Sequence, residues 1–276
     1  GYLKIFILRI RLAHKFEEIV SAENLLEAWR EFLRGKRGKP DVQEFQFRFM
    51  DNILSLHKDL ASGAYRHGGY RAFRINDPKP RDIHKAAVRD RLLHHAVHRV
   101  LYPFFDRKFI ADSFSCRIGK GTHAALDRFR RLSYIVSKND TQTCWILKCD
   151  VRKFFASIDH GILLNILEGH IQDAEVVQLL QKIIDSFSSG KPGVGLPLGN
   201  LTSQLFVNIY MNEFDQFVKH KLKAKYYIRY TDGFVIFSED RKRLETLIPL
   251  IKDFLEGKLR LALHPYKVFI KTLASG

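Results

Sequence analysis

Two short apolar runs, Tyr227-Ile228-Arg229-Tyr230 and Phe234-Val235-Ile236-Phe237, stand three residues apart, with Thr231-Asp232-Gly233 between them. Runs this short and this rich in aromatic and β-branched residues read as strands, and an Asp-Gly step between them is a strong hairpin signal. Gly233 suits a turn because glycine accepts positive φ without strain. A third apolar run, Cys144-Trp145-Ile146-Leu147-Lys148-Cys149-Asp150-Val151, reads as a buried strand that ends in a second acid, Asp150.

Helices are predicted around these strands. One opens at Asp159 and a second spans 174–187. A long amphipathic helix is capped by Thr202 or Ser203, and another covers 241–255 ahead of a short strand at 268–270. That order implies an α+β fold, an antiparallel sheet with helices on one face. Upstream, helical spacing runs from Phe16 to Leu60 and is broken by the basic turn Arg34-Gly35-Lys36-Arg37-Gly38-Lys39-Pro40. Tyr70–His84 reads as strand, turn and strand, followed by a helix over 86–105. His94, His95 and His98 fall at helical spacing on that helix. They match no metal-ligand pattern and read as structural or phosphate-facing.

Charge narrows the partner. Lys and Arg outnumber Asp and Glu by 46 to 30, a net +16. A body so basic attracts polyanions, nucleic acid first and an anionic membrane surface second, with an inert basic surface as the bland alternative. The opening Tyr2–Ile10 is apolar but interrupted by Lys4 and Arg9 and too short to span a bilayer. No other apolar run approaches the roughly 18 residues of a membrane span, so no membrane partner is expected. Cys116, Cys144 and Cys149 make no C-x-x-C pair, which points to a reducing, cytoplasmic setting.

Nucleotidyl transfer needs metal ions held by hard oxygen ligands, and carboxylates at the tips of adjacent strands supply them. The segment Asp150-Val151-Arg152-Lys153-Phe154-Phe155-Ala156-Ser157-Ile158-Asp159-His160 resembles the first palm motif of prokaryotic reverse transcriptases. Gly195-Leu196-Pro197-Leu198-Gly199-Asn200-Leu201-Thr202-Ser203-Gln204 resembles their dNTP-pocket motif. Arg229–Phe237 resembles their Tyr-x-Asp-Asp hairpin, and Leu263-His264-Pro265-Tyr266-Lys267 the palm motif after it. Pro78-Lys79-Pro80-Arg81 and Ser115–His123 fit the fingers motifs. The matches keep the family's order over roughly residues 20–275. The Leu198-Gly199-x-x-x-Ser203-Gln204 pattern is most like the diversity-generating retroelement enzymes, with retron and group II intron enzymes as close relatives.

The resemblance implies a right-hand polymerase: an N-terminal helical extension (1–65), fingers with the first palm helix (66–140) and a palm (141–276), with no thumb in this stretch. It implies RNA-directed DNA synthesis on an RNA template and DNA primer with dNTPs, two Mg²⁺ ions (Mn²⁺ as a substitute) and a small basic accessory protein. By position, Asp150, Asp232 and the Val151 carbonyl correspond to metal ligands, and Lys267 to a proton donor near pyrophosphate. Lys79, Arg81, Phe155, Leu198 and Gly199 fall at the dNTP, Phe155 as the aromatic gate against a 2′-hydroxyl. Arg117, Lys120, Gln204 and Tyr230 fall along the nucleic acid.

One departure bears on activity. Where the family's hairpin carries a second Asp, this chain has Gly233, which implies impaired polymerisation. The competing expectation is a polymerase-fold protein that binds RNA and DNA without catalysis. An RNA-dependent RNA polymerase is disfavoured by the bulk of Phe155.

Overall fold

The computed structural model describes residues 11–76 and 80–273. The apolar opening Tyr2–Ile10 and the final Ser275-Gly276 lie outside them. In chain order the first elements are α1 (Phe16–Val20), α2 (Ala22–Phe32), α3 (Pro40–Phe47), α4 (Phe49–Ala61), β1 (Tyr70–Ile75), β2 (Arg81–Ala86), α5 (Val88–Asp106) and α6 (Thr122–Val136). Then follow β3 (Trp145–Asp150), α7 (His160–Glu168), α8 (Ala174–Ile184), α9 (Leu201–Gln216), β4 (Tyr227–Tyr230), β5 (Gly233–Ser238), α10 (Arg241–Leu259) and β6 (Phe269–Thr272). The chain forms two compact units interleaved along the sequence.

The first unit takes Gly1–Phe104, His160–Phe187 and Asn200–Thr202. Ser21 caps α2 by accepting from the Asn24 backbone N–H at 3.1 Å, and Leu25, Ala28, Trp29 and Phe32 turn one buried face inward. Trp29 packs its ring on Phe45 and Phe49 at 5.1 and 5.2 Å, which locks α2 to the helices beyond the basic turn. Asp173 caps α8 and also accepts from the Phe16 backbone N–H, tying the start of α1 to that helix. β1 and β2 pair antiparallel, from Tyr70 opposite Ala86 to Ile75 opposite Arg81.

The α5 histidines face protein, not phosphate. His94 is fully buried, its Nε2 3.2 Å from His67 Nε2. His95 meets Phe32 edge-on, and His98 stacks on Tyr102. Burial pushes His94 down to about 3 and His95 and His98 to about 4, all below the ordinary 6.5. A depressed histidine is neutral in the fold and must charge on unfolding in acid. Stability is therefore complete above pH 6.5 and is lost as pH falls toward 4, at up to about 1.4 kcal/mol per pH unit for buried His94. The melting temperature should fall between pH 6.5 and 5, and His94→Leu should flatten that slope.

The second unit takes Phe105–Asp159, Ser188–Gly199 and Ser203–Gly276. Its sheet has the order β4-β5-β3-β6, antiparallel throughout. Alternation along the strands divides the side chains between two faces. Leu147, Cys149, Tyr227, Phe234 and Ile236 lie on one, against α9 and α10, with Phe214 of α9 packed 4.9 Å from Phe234. Ile146, Ile228, Val235 and Phe237 lie on the other, in a cluster with Phe114, Phe129, Leu132 and Val136.

That second face corrects the expectation of helices on one side only. α6 covers it, although no element is predicted from the sequence between Asp106 and Thr143. A second correction concerns α9, which starts at Leu201 and so holds Thr202 and Ser203 inside its first turn, both buried. Among the described residues no helix is long and apolar enough to cross a membrane.

Candidate active site

β3 and β5 pair so that Asp150 stands opposite Gly233, and β4 and β5 pair so that Tyr230 also stands opposite Gly233. The hairpin turn is therefore the two residues Thr231 and Asp232. Its left-handed residue is Thr231, at φ 57°. This corrects the placement of Gly233 in the turn: it is the first residue of β5, and its φ is not left-handed. A Cβ there would meet only the Tyr230 and Cys149 carbonyl oxygens, at 3.7 and 3.9 Å, which is ordinary contact.

This register brings the main chain at the two acidic residues together. Val151 N–H donates to the Asp232 carbonyl at 3.1 Å, so the residue after Asp150 is bonded to the hairpin tip. Across β3, the His264 N–H donates to the Asp150 carbonyl at 2.7 Å, and Arg152 N–H to the Ala262 carbonyl at 2.8 Å. Those bonds seat the 262–267 turn beside Asp150 and place Lys267 Nζ 3.2 Å from Asp150 Oδ1.

Asp150 and Asp232 offer hard carboxylate oxygens. Mg²⁺ ordinarily completes such a set with water and substrate phosphates instead of an all-protein cage. Among the described residues no three His, Cys, Asp or Glu side chains come together to hold an ion. The donors present fit an ion shared with a substrate.

Phe155 follows on a short 3-10 turn, half-buried, with its ring edge-on to Phe154 at 5.6 Å. Its carbonyl accepts from Leu196 N–H and the Ile158 carbonyl from Gly195 N–H, each at 2.8 Å, while Ser189 Oγ donates to the Ala156 carbonyl. These bonds draw the 154–158 turn and the 195–199 loop into one structure. Glycine is required at Gly195, where φ is 105° and a Cβ would fall 2.4 Å from Ser189 Oγ. Leu198 is half-buried, and Gly199 is exposed at φ 102°.

The remaining predicted residues divide. Arg81 is exposed at the start of β2 in the first unit, and Lys79 lies outside the described residues. Gln204 is half-buried in the first turn of α9. Tyr230 is exposed, and its hydroxyl lies 3.0 Å from Thr122 Oγ1. Lys120 Nζ donates to the Ala111 carbonyl over the Phe114 ring. Arg117 is the exception to its predicted role. Its guanidinium turns inward, paired with Asp106 at 2.7 Å and donating to the Ile110 and Ser113 carbonyls.

A residue that motif reading passes over sits beneath the hairpin. Arg229 is fully buried and paired with Asp215 of α9, with both contacts at 2.8 Å. Burial opposes its charge, but Asp215 outweighs that and raises the guanidinium pKa further. The Tyr227 hydroxyl donates to the same carboxylate at 2.7 Å. Burial, then Asp215, lifts that phenol well above the usual tyrosine range.

Residues 76–272 match the family described as "Reverse transcriptase (RNA-dependent DNA polymerase)". The chain is 26% identical over 314 residues to protein YkfC of Escherichia coli K12, an alignment covering 97% of this chain and 81% of that protein. It is 27% identical over 184 residues to the group II intron-encoded protein LtrA of Lactococcus lactis, covering 64% of this chain but 29% of that protein. A putative COX1/OXI3 intron 1 protein of Saccharomyces cerevisiae is 25% identical over 181 residues, 61% of this chain and 21% of that protein. The chain thus spans under a third of the intron-encoded relatives it resembles.

Proposed function

The chain belongs to the reverse transcriptase family, and on that premise we propose that it is an RNA-directed DNA polymerase whose metal ions are held by Asp150 and Asp232. The observation that carries this reading is the register. It sets Asp150 opposite the first residue of β5 and bonds Val151 N–H to the Asp232 carbonyl. Reverse transcriptases generally use divalent metals. In this chain Asp150, Asp232 and the Val151 carbonyl would hold two Mg²⁺ ions, or Mn²⁺ in their place. A bound ion of this kind lowers the pKa of an attacking hydroxyl and neutralises charge on departing pyrophosphate.

The chain's own groups supply position and selectivity. Phe155 closes the sugar side of the nucleotide pocket against a 2′-hydroxyl, and Leu198 and Gly199 line its base side. Lys267 gives a proton to the leaving pyrophosphate, a reading supported by its Nζ lying 3.2 Å from Asp150 Oδ1. By the family resemblance Lys79 and Arg81 are the triphosphate ligands, the β1–β2 hairpin corresponds to the fingers and the β3–β6 sheet to the palm. Lys120, Gln204 and Tyr230 contact template and primer. Arg117 leaves that set, since its donors are engaged within the protein.

The Leu198-Gly199-x-x-x-Ser203-Gln204 pattern supports the diversity-generating retroelement type with its small basic accessory protein.

The test is primer extension on an RNA template with Mg²⁺ or Mn²⁺. Incorporation of dNTPs in preference to rNTPs supports the reading. Tight RNA–DNA binding with no incorporation even in Mn²⁺ supports a second reading, a polymerase-fold binding protein without catalysis, which Gly233 favours. Phe155→Ala should raise rNTP incorporation relative to dNTP by about 10- to 100-fold, because the wall against the 2′-hydroxyl is removed. Unchanged discrimination would remove Phe155 from the gate.

A further inference from the structure

Asp232 occupies a demanding position. It follows Thr231, whose φ of 57° is left-handed. A β-branched residue in that region is a genuine outlier, held only where the surroundings over-determine it. Two contacts hold Thr231. Its carbonyl accepts from Arg229 Nη1 at 3.0 Å, and its hydroxyl donates to Ser115 Oγ at 2.6 Å.

Arg229 is itself fixed on every donor. Nε and Nη2 meet the two oxygens of Asp215, Nη1 also meets Asn208 Oδ1 at 3.2 Å, and Nη2 also meets Ser113 Oγ at 3.0 Å. With the Thr231 carbonyl, all the N–H groups of a guanidinium are engaged. Asn208 donates onward to the Ser115 carbonyl at 2.9 Å, which closes a loop between α9, the 113–115 segment and the turn. The main chain is pinned as well, Arg229 N–H donating to the Asp112 carbonyl and Phe114 N–H to the Arg229 carbonyl.

A buried ion pair is weak evidence for stability, since taking both charges out of water offsets most of their attraction. The fifth donor of this one reaches a backbone carbonyl at the tip of the candidate active site. We propose that Arg229 is a positioning residue: anchored by Asp215 and Asn208, it holds Thr231 in its left-handed conformation and so sets where the Asp232 carboxylate stands. The inference rests on Asp232 being a metal ligand, as proposed above.

Partners behind metal ligands typically change affinity by about 10- to 100-fold when removed. The test is Mn²⁺ binding to the full chain, followed by electron paramagnetic resonance, alongside thermal unfolding. Arg229→Lys keeps the charge toward Asp215 but cannot reproduce the fork. It should weaken Mn²⁺ binding about tenfold as well as lower the melting temperature. Thr231→Gly, which takes left-handed φ freely, should restore most of the Mn²⁺ affinity in the Arg229→Lys protein without restoring the melting temperature. A purely structural arginine would not show that separation.

Asp232→Asn in the otherwise unchanged chain is the control. If it leaves Mn²⁺ binding unchanged, the metal-ligand reading fails. If it removes binding while Arg229→Lys does not alter affinity, the positioning role fails and the metal-ligand reading stands. Ser115→Ala and Asn208→Ala cut the clamp without touching the ion pair and carry the test if Arg229→Lys does not fold. Unchanged Mn²⁺ affinity in both would overturn the proposal.

Discussion

Gly233→Asp should raise Mg²⁺-dependent primer extension on an RNA template about 30-fold, which is roughly 2 kcal/mol of transition-state stabilisation. The position is open to it. The backbone at Gly233 suits an ordinary L-residue, and a Cβ meets nothing closer than 3.7 Å. Because Gly233 pairs with Asp150, the new carboxylate would stand on the same face of the sheet as Asp150, where it adds negative charge to the metal site. In that background Asp150→Asn or Asp232→Asn should each lower extension by at least ~10³-fold, as expected when a carboxylate worth several kcal/mol is lost. If Gly233→Asp folds and extension does not rise, the missing acid is not what limits the chain.

The other large effect is on stability. Asp215→Leu strands the Arg229 guanidinium in a fully buried site and should destabilise the second unit by about 3–5 kcal/mol. The Asp215→Leu/Arg229→Met double variant should cost clearly less than the sum of its two single changes, because it removes both charges together. Chemical denaturation reads both as a shift in midpoint. Strict additivity would mean that the pair is not coupled.

Much of the candidate site is legible in the sequence because its parts are local. Asp150 closes an apolar strand, Asp232 sits between two strands, and Gly195 and Gly199 mark a loop where positive φ is needed. What escaped depends on partners far along the chain. Arg229 looks like one basic residue in a strand, and nothing local signals that Asp215 and Ser113 wait to receive it. Arg117 likewise reads as free for nucleic acid, because its partner Asp106 stands eleven positions upstream.

The misplacement of Gly233 has a different origin. An Asp-Gly step is a strong turn signal, but pairing of Tyr230 with Gly233 shortened the turn by one residue and moved the strain to Thr231. α6 carries helical spacing in Phe129, Leu132 and Val136, yet Arg128, Arg130 and Arg131 interrupt its apolar character. It is recognisable as a core helix once the sheet face it covers is known.

The two-residue turn has a consequence for descent. A change of length there that slipped β5 by one place against β4 would turn Phe234 away from α9 and Val235 toward it, exchanging the two packed faces of the sheet. Substitution that keeps the loop at two residues leaves this pairing as it stands, and at 233 an added Cβ meets only ordinary contact. Chemistry at position 233 can be dropped and later regained within an unaltered scaffold.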